Sequence, residues 1–472
     1  MDHLTARETA AALQARKVSA IELIEQSIAR IERFDRQVNA VVVRDFERAR
    51  AAAQAADAAL ARGERRPLLG VPITVKEAFN VAGLPTTWGI PGTEKALAPE
   101  DAVVVRRLKA AGAVLSGKTN LALNLADWQS DNPLYGFTRN PWDEARTPGG
   151  SSGGSAAALA AGYVSLEFGS DLAGSLRVPA HCCGIFAHKP THGLVPMRGF
   201  APPGTPVLSV SGDVDLAVVG PMARSAGDLA LALDLTAGPD DDRATAWRLA
   251  LPAARHTALA NHRVLVLDAH PQLPTSQAVG AALDRMAERL AKAGCKIARK
   301  SPLLPDLARL ASTWGTLVEA FVGADMPGVD SISHRDWIEA DRVRAGIAHQ
   351  WRQFFGEWDV ILCPVLPTTA FPHDHGDMQE RRIAIDGQSL PYGALSAWAS
   401  VATLTGLPAT AMPIGLAEDG LPVGMQIVGP YLEDRTTLAF AELVEREFGG
   451  FVAPPGFAGG GLPGQPAAQC GR

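Results

Sequence analysis

Apolar positions change period along the chain, and each change predicts an element. From Leu4 to Leu60 they recur three and four residues apart, which predicts two or three amphipathic helices. Ser19 and Glu22 open SAIELIEQSIARIERF with a capping box. The run ERARAAAQAADAALARG is a strong helix former that stops at Gly63. At GVPITVKEAFNV, residues 70–81, β-branched residues take over and predict a strand running into Lys76. Residues 101–119 predict a helix ending at Gly112 and then the short strand AVLSG. YVSLEF predicts a further strand, SAGDLALALDLTAG a helix, and WDVILCPVLPTTA a buried strand ending in a proline-rich turn. Asp419–Gly420 between two β-patterned runs is a hairpin signal, and TTLAFAELVEREF is the last helix.

With 472 residues, 47% hydrophobic and 20% charged, the chain can bury a large core and is not of a disordered class. A net charge of −6 gives no electrostatic reason to expect nucleic acid or an anionic membrane. No signal peptide and no uninterrupted apolar span are visible, so the sequence reads as cytoplasmic. Five cysteines, two of them adjacent and none in C-x-x-C, suit neither a disulfide framework nor a zinc site. His373-Asp374-His375 is the tightest His/carboxylate cluster, but with no third ligand nearby it reads as a solvated loop.

The chemistry concentrates between Thr147 and Ala180, where two serine clusters are flanked by glycines and separated by an apolar helix and a strand. Glycine lets backbone approach a substrate closely, and successive N–H groups in such a turn can converge on one developing anion. Gly149-Gly150-Ser151-Ser152-Gly153 fits the G-x-S-x-G elbow, yet a polar loop rather than a strand leads into it. FGSDLAGSLR does follow a strand, and a helix predicted to begin near Ser175 aims the N–H groups of Leu172, Ala173, Gly174 and Ser175 at one point. No histidine sits near either cluster in an obvious partnering motif, so the base must be of another kind. Lys76 is a candidate if burial neutralises it; a snorkelling edge lysine is the equal alternative. GAVLSGKT, residues 112–119, matches a P-loop letter for letter, but a helix precedes its first glycine and its middle reads as the strand itself. Lys118 is therefore read as ordering the following turn or sharing a polar network.

GVPITVK at 70–76, GGSSGGS at 149–155 and GSDLAGSLRVPA at 169–180 resemble the signature elements of the amidase signature family, including the spacing of 24 positions from Ser151 to Ser175. The likeness continues through GKTN (117–120), TRNPWD (138–143), CGIFAHKPTHG (183–193), GPMARSAGDLALALD (220–234) and GLPVGMQIVGP (420–430). It covers about residues 1 to 450. The resemblance implies an α/β fold, a single domain with a mixed, twisted central sheet covered by helices on both faces. Its extent would be 1–455, with core motifs at 70–240, a variable pocket-forming region at about 241–355, closing elements at 356–450, and a disordered tail at 456–472. It further implies a Ser–cis-Ser–Lys triad: Ser175 as nucleophile, Ser151 as bridging serine after a cis peptide, and Lys76 as base. Gly149, Gly150, Ser152, Asp171 and Arg177 would support the loops, and Leu125, Trp128, Leu176 and Ile185 would line the pocket.

Two departures stand out: Ala173 where the family commonly has glycine, and Glu77 where aspartate often follows the lysine. The implied activity is hydrolysis of a small carboxamide through an acyl-enzyme, with esters, anilides or carbamates open to the same chemistry. No metal or organic cofactor is implied, and a homo-oligomer is compatible with the sequence. The alternative is the glutaminase component of a tRNA-dependent amidotransferase. That subgroup usually carries an acidic-aromatic segment after KTN, where this chain has LALNLADWQSDNPLYG.

Overall fold

The computed structural model describes residues 3–205, 214–325 and 332–458. Over those residues eleven strands form one mixed sheet. Its strands begin with β1 (Val41–Arg44), β2 (Pro72–Lys76), β3 (Val114–Thr119), β4 (Leu166–Asp171), β5 (Phe186–Lys189) and β6 (Val218–Ala223). They continue with β7 (Arg263–Val266), β8 (Lys296–Ala298) and β9 (Val360–Pro364). A separate hairpin, β10 (Arg382–Ile385) and β11 (Gln388–Pro391), precedes β12 (Ala409–Leu416) and β13 (Pro422–Val428). Across the sheet the order is β1-β3-β2-β4-β6-β5-β12-β13-β9-β7-β8. β2 runs parallel to both β3 and β4, and β4, β6, β5, β12, β13 and β9 alternate in direction.

The helices are α1 (Ala6–Gln14), α2 (Ala20–Val38), α3 (Phe46–Ala61), α4 (Val103–Ala110), α5 (Gly153–Ala160) and α6 (Arg177–Cys183). After them come α7 (Ala226–Thr236), α8 (Gln277–Lys292), α9 (Leu307–Asp325), α10 (His334–Glu357), α11 (Ser396–Thr403) and α12 (Asp434–Phe448). Ser19 caps α2 as its spacing predicts: the hydroxyl accepts from the Glu22 N–H while Glu22 reaches back to the Ser19 N–H. Asn39, in the left-handed region at φ 56°, ends that helix. It turns the chain into β1, an edge strand too short for its apolar run to have announced it.

Two cores occupy the two faces of the sheet. One gathers Ile73, Val75, Phe168 and Val219 under α1, α4, α7, α8 and α12. The other gathers Leu176, Ile361, Val401 and Trp398 with α5, α6, α9 and α10. Side chains alternate along a strand, so placing Ile73 and Val75 in the first core turns Lys76 toward the opposite face, where α5 packs. The first residues of the segment expected to be a tail pack on the fold. Phe457 is buried and its carbonyl accepts from Arg30, which holds residues 456–458 on the fold; residues 459–472 lie outside the described residues.

Candidate active site

Lys76 ends β2 with its side chain wholly buried. Its Nζ donates to Ser151 Oγ at 2.6 Å and to Ser170 Oγ at 3.0 Å. Burial strips the ammonium of water and brings its pKa down to about 7, against the opposing pull of the Asp171 carboxylate. The peptide between Gly150 and Ser151 is cis. There is no room for a larger residue at 150: a Cβ there would stand 2.5 Å from Asp127 O and 2.6 Å from Gln129 N. Ser130 fastens this turn, donating to Gly149 O and accepting from Gly153 N–H. Ser152 accepts weakly from Ser170 N–H at 3.4 Å.

Ser175 lies on the adjoining loop, tied to the first by the Ser152 N–H donating to Ser175 O at 3.3 Å. Its hydroxyl makes no hydrogen bond among the described residues. The helix that sequence placed near Ser175 begins at Arg177, so Leu172 to Ser175 form a loop before it. Asp171 organises that loop. One carboxylate oxygen accepts from Gly174 N–H at 2.9 Å and the other from Leu176 N–H at 3.2 Å, while both pair with Arg177. Burial alone would raise the Asp171 pKa; Arg177, Lys189 and the Gly174 N–H outweigh it and hold the group ionised. Arg177 in turn donates to Ala399 O, Thr403 Oγ1 and Gln426 Oε1.

Four sequence expectations change here. Gly174 N–H is committed to Asp171, so it is not a free donor; the N–H groups of Leu172, Ala173 and Ser175 have no partner among the described residues. Leu176 and Ile185 are both 0% exposed within the second core, because apolar residues next to the loop turn toward the sheet rather than a cavity. Leu125, at φ 61°, packs on the edge of the first core. Trp128 does reach the loop, and its Nε1–H donates to Ala173 O at 2.8 Å.

Ser170 and the groups behind Trp128 had no sequence signal of their own. A small hydroxyl inside GSD looks like any strand residue, and Asp127 meets Arg381 and Tyr392 across 254 and 265 residues. Lys118 joins a buried network, as its position suggested, donating to Pro85 O and Thr86 Oγ1 with Glu77 Oε1 at 3.8 Å. The Glu77 carboxylate accepts from the N–H groups of Thr87 and Trp88, which ties it to the loop backbone. Asp374 and His375 are exposed, as a solvated loop requires, while His373 is half-buried; both rings pack on Phe137, and His375 pairs with Asp131 at 2.6 Å. No group of three or more His, Cys, Asp or Glu that could hold a metal occurs among the described residues. Among the same residues, no helix is long and apolar enough to cross a membrane.

Comparison with known proteins identifies the family. The Amidase family model matches residues 22–326 and 323–438. A glutamyl-tRNA(Gln) amidotransferase component from Anaeromyxobacter sp. (strain K) is 36% identical over 95% of this chain and 97% of its own. An indoleacetamide hydrolase from Bradyrhizobium diazoefficiens is 34% identical over 94% of this chain and 86% of its own. Among solved structures, a bacterial aryl acylamidase of the amidase signature family superposes with a TM-score of 0.78 at 25% identity, covering 95% of this chain and 96% of its own. With the signature loops, the mixed sheet and the family match in agreement, the chain belongs to the amidase signature family of C–N hydrolases.

Proposed function

We propose that this protein hydrolyses a carboxamide through an acyl-enzyme formed on Ser175. The observation that carries the reading is the buried Lys76 amine, 2.6 Å from Ser151 Oγ, with burial bringing its pKa down to about 7. Neutral Lys76 takes the Ser151 proton as Ser151 takes that of Ser175, whose Oγ attacks the carbonyl carbon. The Ser175–Ser151 hydrogen bond that this relay needs forms as substrate seats. The N–H groups of Leu172, Ala173 and Ser175 hold the oxyanion. Ser151 then passes the proton to the departing amine, and water releases the acid by the same relay. Esters, anilides and carbamates reach the same kind of tetrahedral oxyanion and fall within this chemistry.

A second reading is favoured by one observation, the 36% identity to an amidotransferase component. In that role the chain would release ammonia from glutamine within a larger assembly. The segment after Asn120, LALNLADWQSDNPLYG, lacks the acidic-aromatic character usual in that subgroup and supports the free-standing amidase instead. Glutaminase activity that appears only on adding a partner protein would decide for the second reading.

The test of the first is intact-mass analysis and peptide mapping after treatment with a fluorophosphonate. One adduct on Ser175, lost in Ser175→Ala and slowed in Ser151→Ala and Lys76→Ala, is expected. An adduct on Ser151 instead would overturn the assignment of roles.

A further inference from the structure

The peptide joining Ala173 to Gly174 is held at both ends. Its carbonyl accepts from Trp128 Nε1–H at 2.8 Å, and its N–H donates to Asp171 at 2.9 Å. The peptides on either side carry the N–H groups of Ala173 and Ser175, which have no partner among the described residues. All three units share the torsions at residues 173 and 174, so the orientation of the middle one sets the direction of its neighbours. Gly174 sits at φ 97°, where a residue without Cβ is comfortable and equally free to rotate away. Asp171 fixes one end of this unit from within the same loop. Among the described residues, only Trp128 fixes the other, from outside the loop.

Trp128 is itself braced. Its ring meets Tyr392 edge to face at 5.3 Å, and Tyr392 packs on Phe371 at 5.7 Å. The Tyr392 hydroxyl donates to Asp127 Oδ1 at 2.8 Å, and Arg381 binds the other Asp127 oxygen. The next residue along, Gln129, exchanges two hydrogen bonds with the Asp374 backbone. Residues 127–129 thus lie between the turn at Gly150, which they touch, and the β10–β11 hairpin with its flanking residues.

We infer that Trp128 is a positioning residue for the oxyanion loop: its indole N–H aims the Ala173 and Ser175 N–H groups, and the Asp127–Arg381–Tyr392 clamp holds the indole in place. This rests on the reading of Ser175 as nucleophile. It assigns Trp128 work beyond forming a pocket wall.

The test is saturation kinetics of fluorophosphonate inactivation, because the phosphoryl oxygen occupies the place of the oxyanion and no natural substrate is needed. Trp128→Phe keeps the ring against Tyr392 and removes the N–H. Its limiting inactivation rate should fall about ten- to a hundredfold, less than outright loss of an oxyanion donor costs. The half-saturating probe concentration and the pH midpoint of the rate should stay at wild-type values. Tyr392→Phe, one bond further out, should lose less in the same direction and serves where Trp128→Phe does not fold. A limiting rate equal to wild type, or a loss seen only in half-saturation, would overturn the inference. A folded wild type that takes no label at Ser175 would overturn the nucleophile assignment and this inference with it.

Discussion

Ser170 offers the sharpest test of how Lys76 is kept neutral. Its hydroxyl is one of two that accept from the Lys76 Nζ, at 3.0 Å, and its side chain is buried. A hydrogen bond given by an ammonium is worth about 1 kcal/mol more than the same bond given by a neutral amine. Ser170→Ala therefore destabilises the protonated form selectively and lowers the Lys76 pKa further. Since about 1.4 kcal/mol corresponds to one pH unit, the shift is about 0.7 unit downward. The wild-type rate should fall as pH drops through about 7, where Lys76 gains its proton. In Ser170→Ala the neutral base persists to lower pH, so the acidic limb should move to about 6.3. The assay is the second-order rate constant for fluorophosphonate inactivation across pH at constant ionic strength, with Ser170→Thr as the control that keeps a hydroxyl. An acidic limb that stays at the wild-type pH, or moves upward, would refute the argument that Ser170 stabilises the protonated amine.

Lys76→Met should abolish labelling, with a loss of about 10⁴ or more, yet raise Tm at pH 7. The folded pKa of about 7 lies below the ordinary 10.5, so the native state pays for burying Lys76 at low pH, and the Tm gain should shrink between pH 7 and 10.5. Gly150→Ala should be inactive and less stable, since its methyl would meet backbone atoms of residues 127, 128 and 129 at 2.5 to 2.7 Å; an active, equally stable variant by kinetics and thermal melt would contradict that packing. Leu176→Ala should cost about 2–5 kcal/mol in denaturant melts, as a core truncation does. Relative rates across acyl chain lengths should be unchanged, and a shifted preference would return Leu176 to the pocket.

The sequence carried the local grammar of this protein well. The capping box at Ser19, the strand into Lys76 and the hairpin at Asp419–Gly420 are each written in a few neighbouring residues, and each is where its pattern placed it. The choice between a surface and a buried Lys76 was not local. It depends on α5 covering that face of β2, which no pattern around residue 76 reports. Strand order was likewise closed to pattern reading, because β5 pairs with β12 across more than two hundred residues. Apolar residues beside the serines looked like pocket walls, but Leu176 and Ile185 lie in the core. The wall that does reach the loop is built from Trp128 and the distant Tyr392 and Arg381, a juxtaposition only the folded chain contains.

The buried Arg177 has a consequence for how the protein comes into being. Its guanidinium is anchored by Ala399, Thr403 and Gln426, on α11 and β13, well over two hundred residues downstream. A nascent chain that has left the ribosome through residue 390 already carries Lys76, both serine clusters and Asp171, but not the acceptors that fix Arg177 against them. The Asp171–Arg177 pair that organises the 172–175 loop is thus fully anchored only once α11 and β13 are in place, which ties the shape of that loop to the last part of the chain to be made.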